Sequence, residues 1–234
     1  MKISRENKKY MLLILPLIEV VIGVIMYAFC MICMKFGFGQ SFFALVGAVI
    51  PILITGGVNL AGFMKTTDAL WNAHSVEKRL EMMKDAHAGI YAVIAAVTYY
   101  MLYAGGLVTI WKDKQLLLLG IGYVISGTLG CMAVVWFPEK KSKESSYAFA
   151  SKSEKQVFRI FLSLILVLCF GTCIMFSTIM GLLEALLCMW IWTFYYYMSK
   201  KCFGGITAEL TGFFIALCEL AVVLFVGIFG RILM

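Results

Sequence analysis

Apolar residues dominate long stretches of the chain, and polar residues gather in short blocks between them. Apolar stretches of about 20 residues, the length an α-helix needs to cross a hydrocarbon layer, recur at 11–34, 42–64, 89–111 and 115–137. The stretch 160–198 carries one charge, Glu184, and is long enough for two crossings joined by a tight turn near Ser177; a last crossing covers 203–230. The pattern predicts about seven spans. The first is too long for the core of a cleaved signal peptide and reads as a retained span. The expected fold is an all-α polytopic membrane helical bundle, forming a single integral membrane domain over residues 1–234.

One polar block breaks this pattern with a pattern of its own. Residues 55–89, TGGVNLAGFMKTTDALWNAHSVEKRLEMMKDAHAG, concentrate acids, bases and both histidines. Glu77, Glu81 and Asp85 step by four; with Ser75 as a cap they line one face of a short helix over 75–87, and Val76, Leu80 and Met83 lie on the other. Asp68, Glu81 and Asp85 offer hard oxygen ligands of the kind that suit Mg²⁺, which leaves positions open for substrate phosphates. The bland alternative is a solvated charged helix. Arg79 and Lys84 can grip phosphate, although basic residues beside a membrane ordinarily set orientation. His74 and His87 lack a second histidine at ligand spacing and read as surface residues.

Composition agrees with the bilayer as solvent: 62% of residues are hydrophobic, 14% are charged and the mean hydropathy is +0.94. A net charge of +7 would suggest nucleic acid in a soluble protein, but here the bases sit in short loops beside apolar runs, which excludes that reading. With the N-terminus in the cytoplasm, 16 of the 20 Lys and Arg residues fall on the cytoplasmic side and 4 (Lys35, Lys112, Lys114 and Arg231) on the other. The expected location is therefore the bacterial cytoplasmic (inner) membrane, multi-pass, with the stretches 55–89 and 204–219 both opening on the cytoplasmic face. The eight cysteines lie mostly inside spans and pack as small apolar residues, including the Cys30–Cys33 pair, so no disulfide framework is expected. Residues 139–155 read as a solvated connector, and no internal repeat is evident.

Acids within spans are costly and mark function by default. There are four: Glu19, Glu184, Glu209 and Glu219. Glu209 lies nearest the cytoplasmic face and is the best site candidate of the set. Gly204, Ala208 and Gly212 recur every four residues, which lets another helix approach closely.

The segment TGGVNLAGFMKTTDALW, followed by EKRLEMMKDAHAG, resembles the signature of the cobalamin synthase family, the membrane-bound adenosylcobinamide-GDP ribazoletransferases. The family pattern runs roughly TGG-x-H-x-DG-x-x-DT-x-D, then E-x-M-x-D-x-x-x-G. The closing CFGGITAELTGFFIALCELAVVL is similar to the family's GG-x-TGD-x-x-G and its downstream Glu, and Pro16 in LPLIEVVIG matches an early FPL-like start. The resemblance implies that adenosylcobinamide-GDP and α-ribazole (or its phosphate) are joined with release of GMP, and that Mg²⁺ is required. Carried over residue by residue, it implies metal ligation by Asp68, Glu81, Asp85 and Glu209. If the chain keeps the family activity, Asn59, Arg79, Lys84 and Thr207 are expected to contact substrate, and Asp68 and Lys65, the latter as a fixed cation on the diphosphate, are expected to be catalytic.

The chain also departs from the pattern. Asn59 replaces the family's His, Ala61 and Lys65 replace its first two Asp residues, and Ala208-Glu209 replaces its Gly-Asp. The changes at 61 and 65 make the local charge three units more positive, which opposes cation binding. Two alternatives follow. One is a catalytically degenerate relative that binds a corrinoid; the other is a small membrane transporter using Glu19, Glu184 and Glu219. A homo-oligomer is left open.

Overall fold

The computed structural model describes residues 5–85, 87–137 and 152–233, and within these its regular elements are all helices. The helices are α1 (Arg5–Phe36), α2 (Gln40–Gly47), α3 (Ile50–Thr55), α4 (Val58–Asn72), α5 (Val76–Lys84), α6 (Ile90–Leu107), α7 (Asp113–Trp136), α8 (Lys152–Phe176), α9 (Thr178–Phe203) and α10 (Ala208–Leu233). Six of them are long and apolar enough to cross a membrane, and the bent unit α2–α4 brings the total to seven if it counts as one span. The connector expected over 139–155 lies mostly outside the described residues.

The bundle is built around α7, 83% of whose apolar window is buried, whereas the same measure for the peripheral α8 is 11%. Small residues on α7 explain its place. A side chain at Gly127 would collide with Glu19 of α1, and one at Gly130 would meet Ile215 of α10 at 2.9 Å. Gly23 of α1 lies directly against Gly120, so that an added Cβ would stand 3.1 Å from the Gly120 Cα. Such backbone-to-backbone approach is how helices associate where lipid removes the hydrophobic drive between them. Large apolar side chains such as Leu17, Val24, Leu53, Val167, Met175 and Trp190 point outward instead, as a lipid-facing surface requires.

Contacts sort the connections into two ends. At one, Phe43 packs against Trp111 with ring centroids 5.8 Å apart, and Gln115 lies against Gly230. At the other, Arg159 donates to the Val135 carbonyl at 3.1 Å, and Arg79 donates to the Cys202 carbonyl at 3.2 Å. This is the alternation that consecutive crossings demand.

The second span, expected as one helix over 42–64, is broken. The segment Gln40–Thr55 meets Val58–Asn72 at 94°. The sequence Thr55-Gly56-Gly57 makes the corner. Both glycines have left-handed backbones (φ 63° and 76°), which side chains disfavour, and the Gly57 N–H closes α3 on the Ile52 carbonyl at 2.8 Å. Thr55 Oγ1 donates back to the Pro51 carbonyl at 2.7 Å. Hydropathy registers none of this, because glycine is nearly neutral on such scales. The short helix expected over 75–87 is also present but ends at Lys84. Its cap is Ser75, whose hydroxyl accepts from the Lys78 N–H at 3.3 Å. Asp85 leaves the helix and accepts from the His87 N–H at 3.0 Å, a local turn that competes with another helical residue.

Candidate active site

The two polar motifs, far apart in sequence, meet along α4 and α10, which cross face to face. Gly62 and Gly212 set the distance. A Cβ on Gly62 would fall onto the Glu209 carbonyl oxygen and within 3.0 Å of the Phe213 nitrogen, and one on Gly212 would come within 3.3 Å of the Asn59 Cα. Before α10, Gly204 ends α9 in the left-handed conformation (φ 71°), and the Thr207 hydroxyl accepts from the Leu210 N–H at 3.3 Å as its cap. The GGIT sequence therefore turns the chain and starts the helix that α4 packs against.

Along α4 the side chains sort by depth. Asn59, in its first turn, is buried and donates from Nδ2 to Glu219 Oε1 at 3.5 Å. Lys65 is half-buried, and its ammonium donates to the Met83 carbonyl at 3.3 Å, which ties α4 to the last turn of α5. Asp68 accepts from Asn72 Nδ2 at 2.9 Å, and its carboxylate rests on Gly89, where any side chain would overlap both oxygens. The glycine before α6 thus makes room for this acid. Ala61 is exposed.

The remaining residues singled out from sequence lie around α5. Arg79 donates from Nε to the Ala73 carbonyl at 3.0 Å and from Nη1 to the Cys202 carbonyl at 3.2 Å, so it pins α5 to the end of α9. Lys84 is exposed. Glu81 faces solvent and pairs with Lys78 at 3.7 Å, while Asp85 pairs with His87 at 2.8 Å. Glu209 and Thr207 are half-buried at the start of α10. Among the described residues no three His, Cys, Asp or Glu side chains stand close enough to share a metal. The acids Asp68, Glu81, Asp85 and Glu209 are individually suited to Mg²⁺ but are not gathered into one coordination sphere here. They do not, as placed, fit the ion.

A second polar group lies deeper. Glu19 and Glu219 are buried, with Asn59 between the helices that carry them, and Tyr103 and Tyr123 share a hydroxyl hydrogen bond of 2.6 Å nearby on α6 and α7. The expectation for Glu219 as one acid of a path across the bilayer did not foresee Asn59 as its partner. The one signal available was the resemblance, which puts a His at position 59 in its first motif and a Glu downstream of its closing one, without joining the two.

Comparison with known proteins bears on both motifs. A sequence model of the family described as Cobalamin-5-phosphate synthase matches residues 1–227. A relative from Lachnoclostridium phytofermentans, named adenosylcobinamide-GDP ribazoletransferase, is 34% identical over 220 residues, covering 93% of this chain and 83% of its own. Relatives with the same name from Clostridium perfringens (strain SM101) and Treponema denticola are 27% and 29% identical, each over 94% of this chain and over 88% and 87% of their own lengths. No solved structure matches the chain.

Proposed function

Because the chain belongs to the cobalamin-5-phosphate synthase family, we propose that it joins adenosylcobinamide-GDP to α-ribazole, or its phosphate, with release of GMP. The observation that carries this assignment to a place in the molecule is the crossing of α4 and α10 at Gly62 and Gly212, which brings both motifs to one surface. The basic end of the bundle is the cytoplasmic one; the distribution of Lys and Arg supports it, and substrates made in the cytosol reach the site there.

In the reaction a ribazole hydroxyl attacks the phosphorus that carries cobinamide. The bond from that phosphorus to the bridging oxygen breaks, and GMP leaves with the electron pair. The hydroxyl proton passes to Asp68, whose carboxylate is held by Asn72 and by the close floor at Gly89. Lys65 uses one of its three N–H donors on the Met83 carbonyl and keeps two for the diphosphate, where a fixed cation stabilises charge growing on the leaving group. Arg79 is a positioning residue, since two of its donors are committed to backbone carbonyls. The described acids are not gathered to hold Mg²⁺, so a requirement for it would lie with the substrate diphosphate, and omitting Mg²⁺ from the assay reads it directly.

The test is release of GMP by the detergent-purified protein given adenosylcobinamide-GDP, α-ribazole and Mg²⁺. The expected result is product above a protein-free control. No release, under conditions where the Lachnoclostridium relative turns over, would sink the transferase reading. A degenerate relative that binds a corrinoid without turnover is the second reading, and the scattered acids around Lys65 favour it. It predicts that Ala61→Asp with Lys65→Asp creates activity absent from the native chain.

A further inference from the structure

The outer surface of the bundle carries a groove that the transferase motifs do not use. It lies between the end of α7 and the start of α8, has a volume of about 430 Å³, and is lined by Trp136, Arg159, Ile160, Ser163, Leu164 and Val167. The five α8 residues share one face of that helix, so the groove runs along it from a charged end to an apolar one. Trp136, Ile160, Leu164 and Val167 are each at least half exposed.

The walls are held in place. Arg159 donates from Nη2 to the Val135 carbonyl at 3.1 Å, in the last turn of α7, where carbonyls lack helical partners. Trp136 stands edge-on to Trp192 with ring centroids 6.2 Å apart, and Trp192 is itself pinned through Nε1, which donates to the Leu129 carbonyl at 3.0 Å. The groove is therefore formed before anything enters it.

Its position says what enters. Of the candidate spans α8 is the least covered by protein, with 11% of its apolar window buried, so an occupant arrives from the lipid. An arginine at such a boundary ordinarily snorkels to water. Arg159 instead reaches back to α7 beside an apolar wall, with four of its five N–H donors left over and no carboxylate in the groove. A cation facing hydrocarbon without a counter-charge is costly. Phosphate supplies that charge and pairs with a guanidinium through two parallel N–H bonds. Trp136 adds an indole of the kind that anchors at headgroup depth. Beyond Arg159 the helix is uncharged to Phe176, and Ile160, Leu164 and Val167 continue the groove as a track for hydrocarbon. Free phosphate has no use for that track, and a zwitterionic headgroup would bring its own ammonium beside the guanidinium.

We infer that the groove between α7 and α8 binds one anionic phospholipid, with its phosphate on Arg159 and an acyl chain along Ile160, Leu164 and Val167. Basic pockets between membrane helices recognise acidic headgroups in this way. The lipid ties the peripheral α8 to the central α7.

Brominated lipids test this on the full-length protein in neutral detergent. Bromine on an acyl chain quenches a tryptophan it touches, and the difference between the native protein and Trp136→Phe isolates Trp136 from the other four tryptophans. Brominated phosphatidylglycerol is expected to quench that component at about one tenth of the concentration that brominated phosphatidylcholine requires, the factor that corresponds to one hydrogen bond to a charged group. Arg159→Gln should remove the preference, whereas Lys201→Gln, a base on α9 outside the groove, should keep it. Unlabelled phosphatidylglycerol should relieve the quenching and inorganic phosphate should not, a comparison that needs no change at Arg159. Equal midpoints for the two lipids, a preference that survives Arg159→Gln, or displacement by inorganic phosphate would each overturn the proposal. So would a Trp136 component that no lipid quenches, the result expected if a protein segment or a second copy fills the groove.

Discussion

At residue scale, the site divides into side chains free to meet substrate and side chains spent on the protein. The proposed function puts Lys65 and Asp68 in the first group, each with one hydrogen bond to the protein and further capacity left for substrate. Replacing Lys65 with Met should lower kcat by about two to three orders of magnitude, the loss typical of one donor aimed at developing charge, with little change in melting temperature. Asp68→Asn should cost about 10² to 10⁴ in rate if the carboxylate takes the hydroxyl proton, which GMP release under saturating substrate measures. Gly89→Ala tests the same acid from behind. Its methyl overlaps the Asp68 carboxylate, so activity should fall although residue 89 touches no substrate. The positions of these residues on one short helix were legible in the letters, since the family resemblance drew attention to Lys65 and Asp68 three residues apart. The contact between Asn59 and Glu219 was not, because it joins residues 160 positions apart and depends on where α10 crosses.

At the scale of elements, α5 shows why a correct periodicity gave an incomplete site. Glu77, Glu81 and Asp85 do step by four, and Ser75 does cap the helix. Yet α5 stops at Lys84, and its acids find local partners, Glu81 with Lys78 and Asp85 with His87. Shared spacing places groups on one face; it does not aim that face at anything. What aims α5 is Arg79, through the Ala73 and Cys202 carbonyls. Arg79→Ala should destabilise this junction by about 1.5–3 kcal/mol, the usual range for hydrogen bonds to a charged group. Faster amide exchange confined to α5 and the end of α9 would show it. The broken second span teaches the complementary lesson. An apolar run sets the length available for a crossing, but two consecutive glycines with positive φ decide its shape and turn α4 away from α3 by 94°.

At the scale of the whole molecule, most of the fold was readable because lipid leaves a chain few choices. Apolar length set the number of crossings, and the bilayer admits only structures that satisfy their own backbone. The packing order, with α7 at the centre, was less legible, since every span is apolar and only small residues such as Gly122, Gly127 and Gly130 distinguish the innermost one. Orientation gives a direct prediction. Cysteines substituted for Lys35 and Lys112 should react with an impermeant maleimide in intact cells, whereas one at Lys78 should react only after the membrane is opened. The reverse pattern would put the transferase motifs on the wrong side for cytosolic substrates.

The crossing at Gly62 and Gly212 also has a temporal side. Helix α10 leaves the ribosome after every other described helix, roughly ten to thirty seconds behind α4 at ordinary elongation speeds. Throughout that interval Asn59 and Gly62 stand in a nascent bundle without the surface they are shaped to meet. A product stalled before α10 would thus be inserted, greasy and inert, because the surface that α4 packs against has not yet been made.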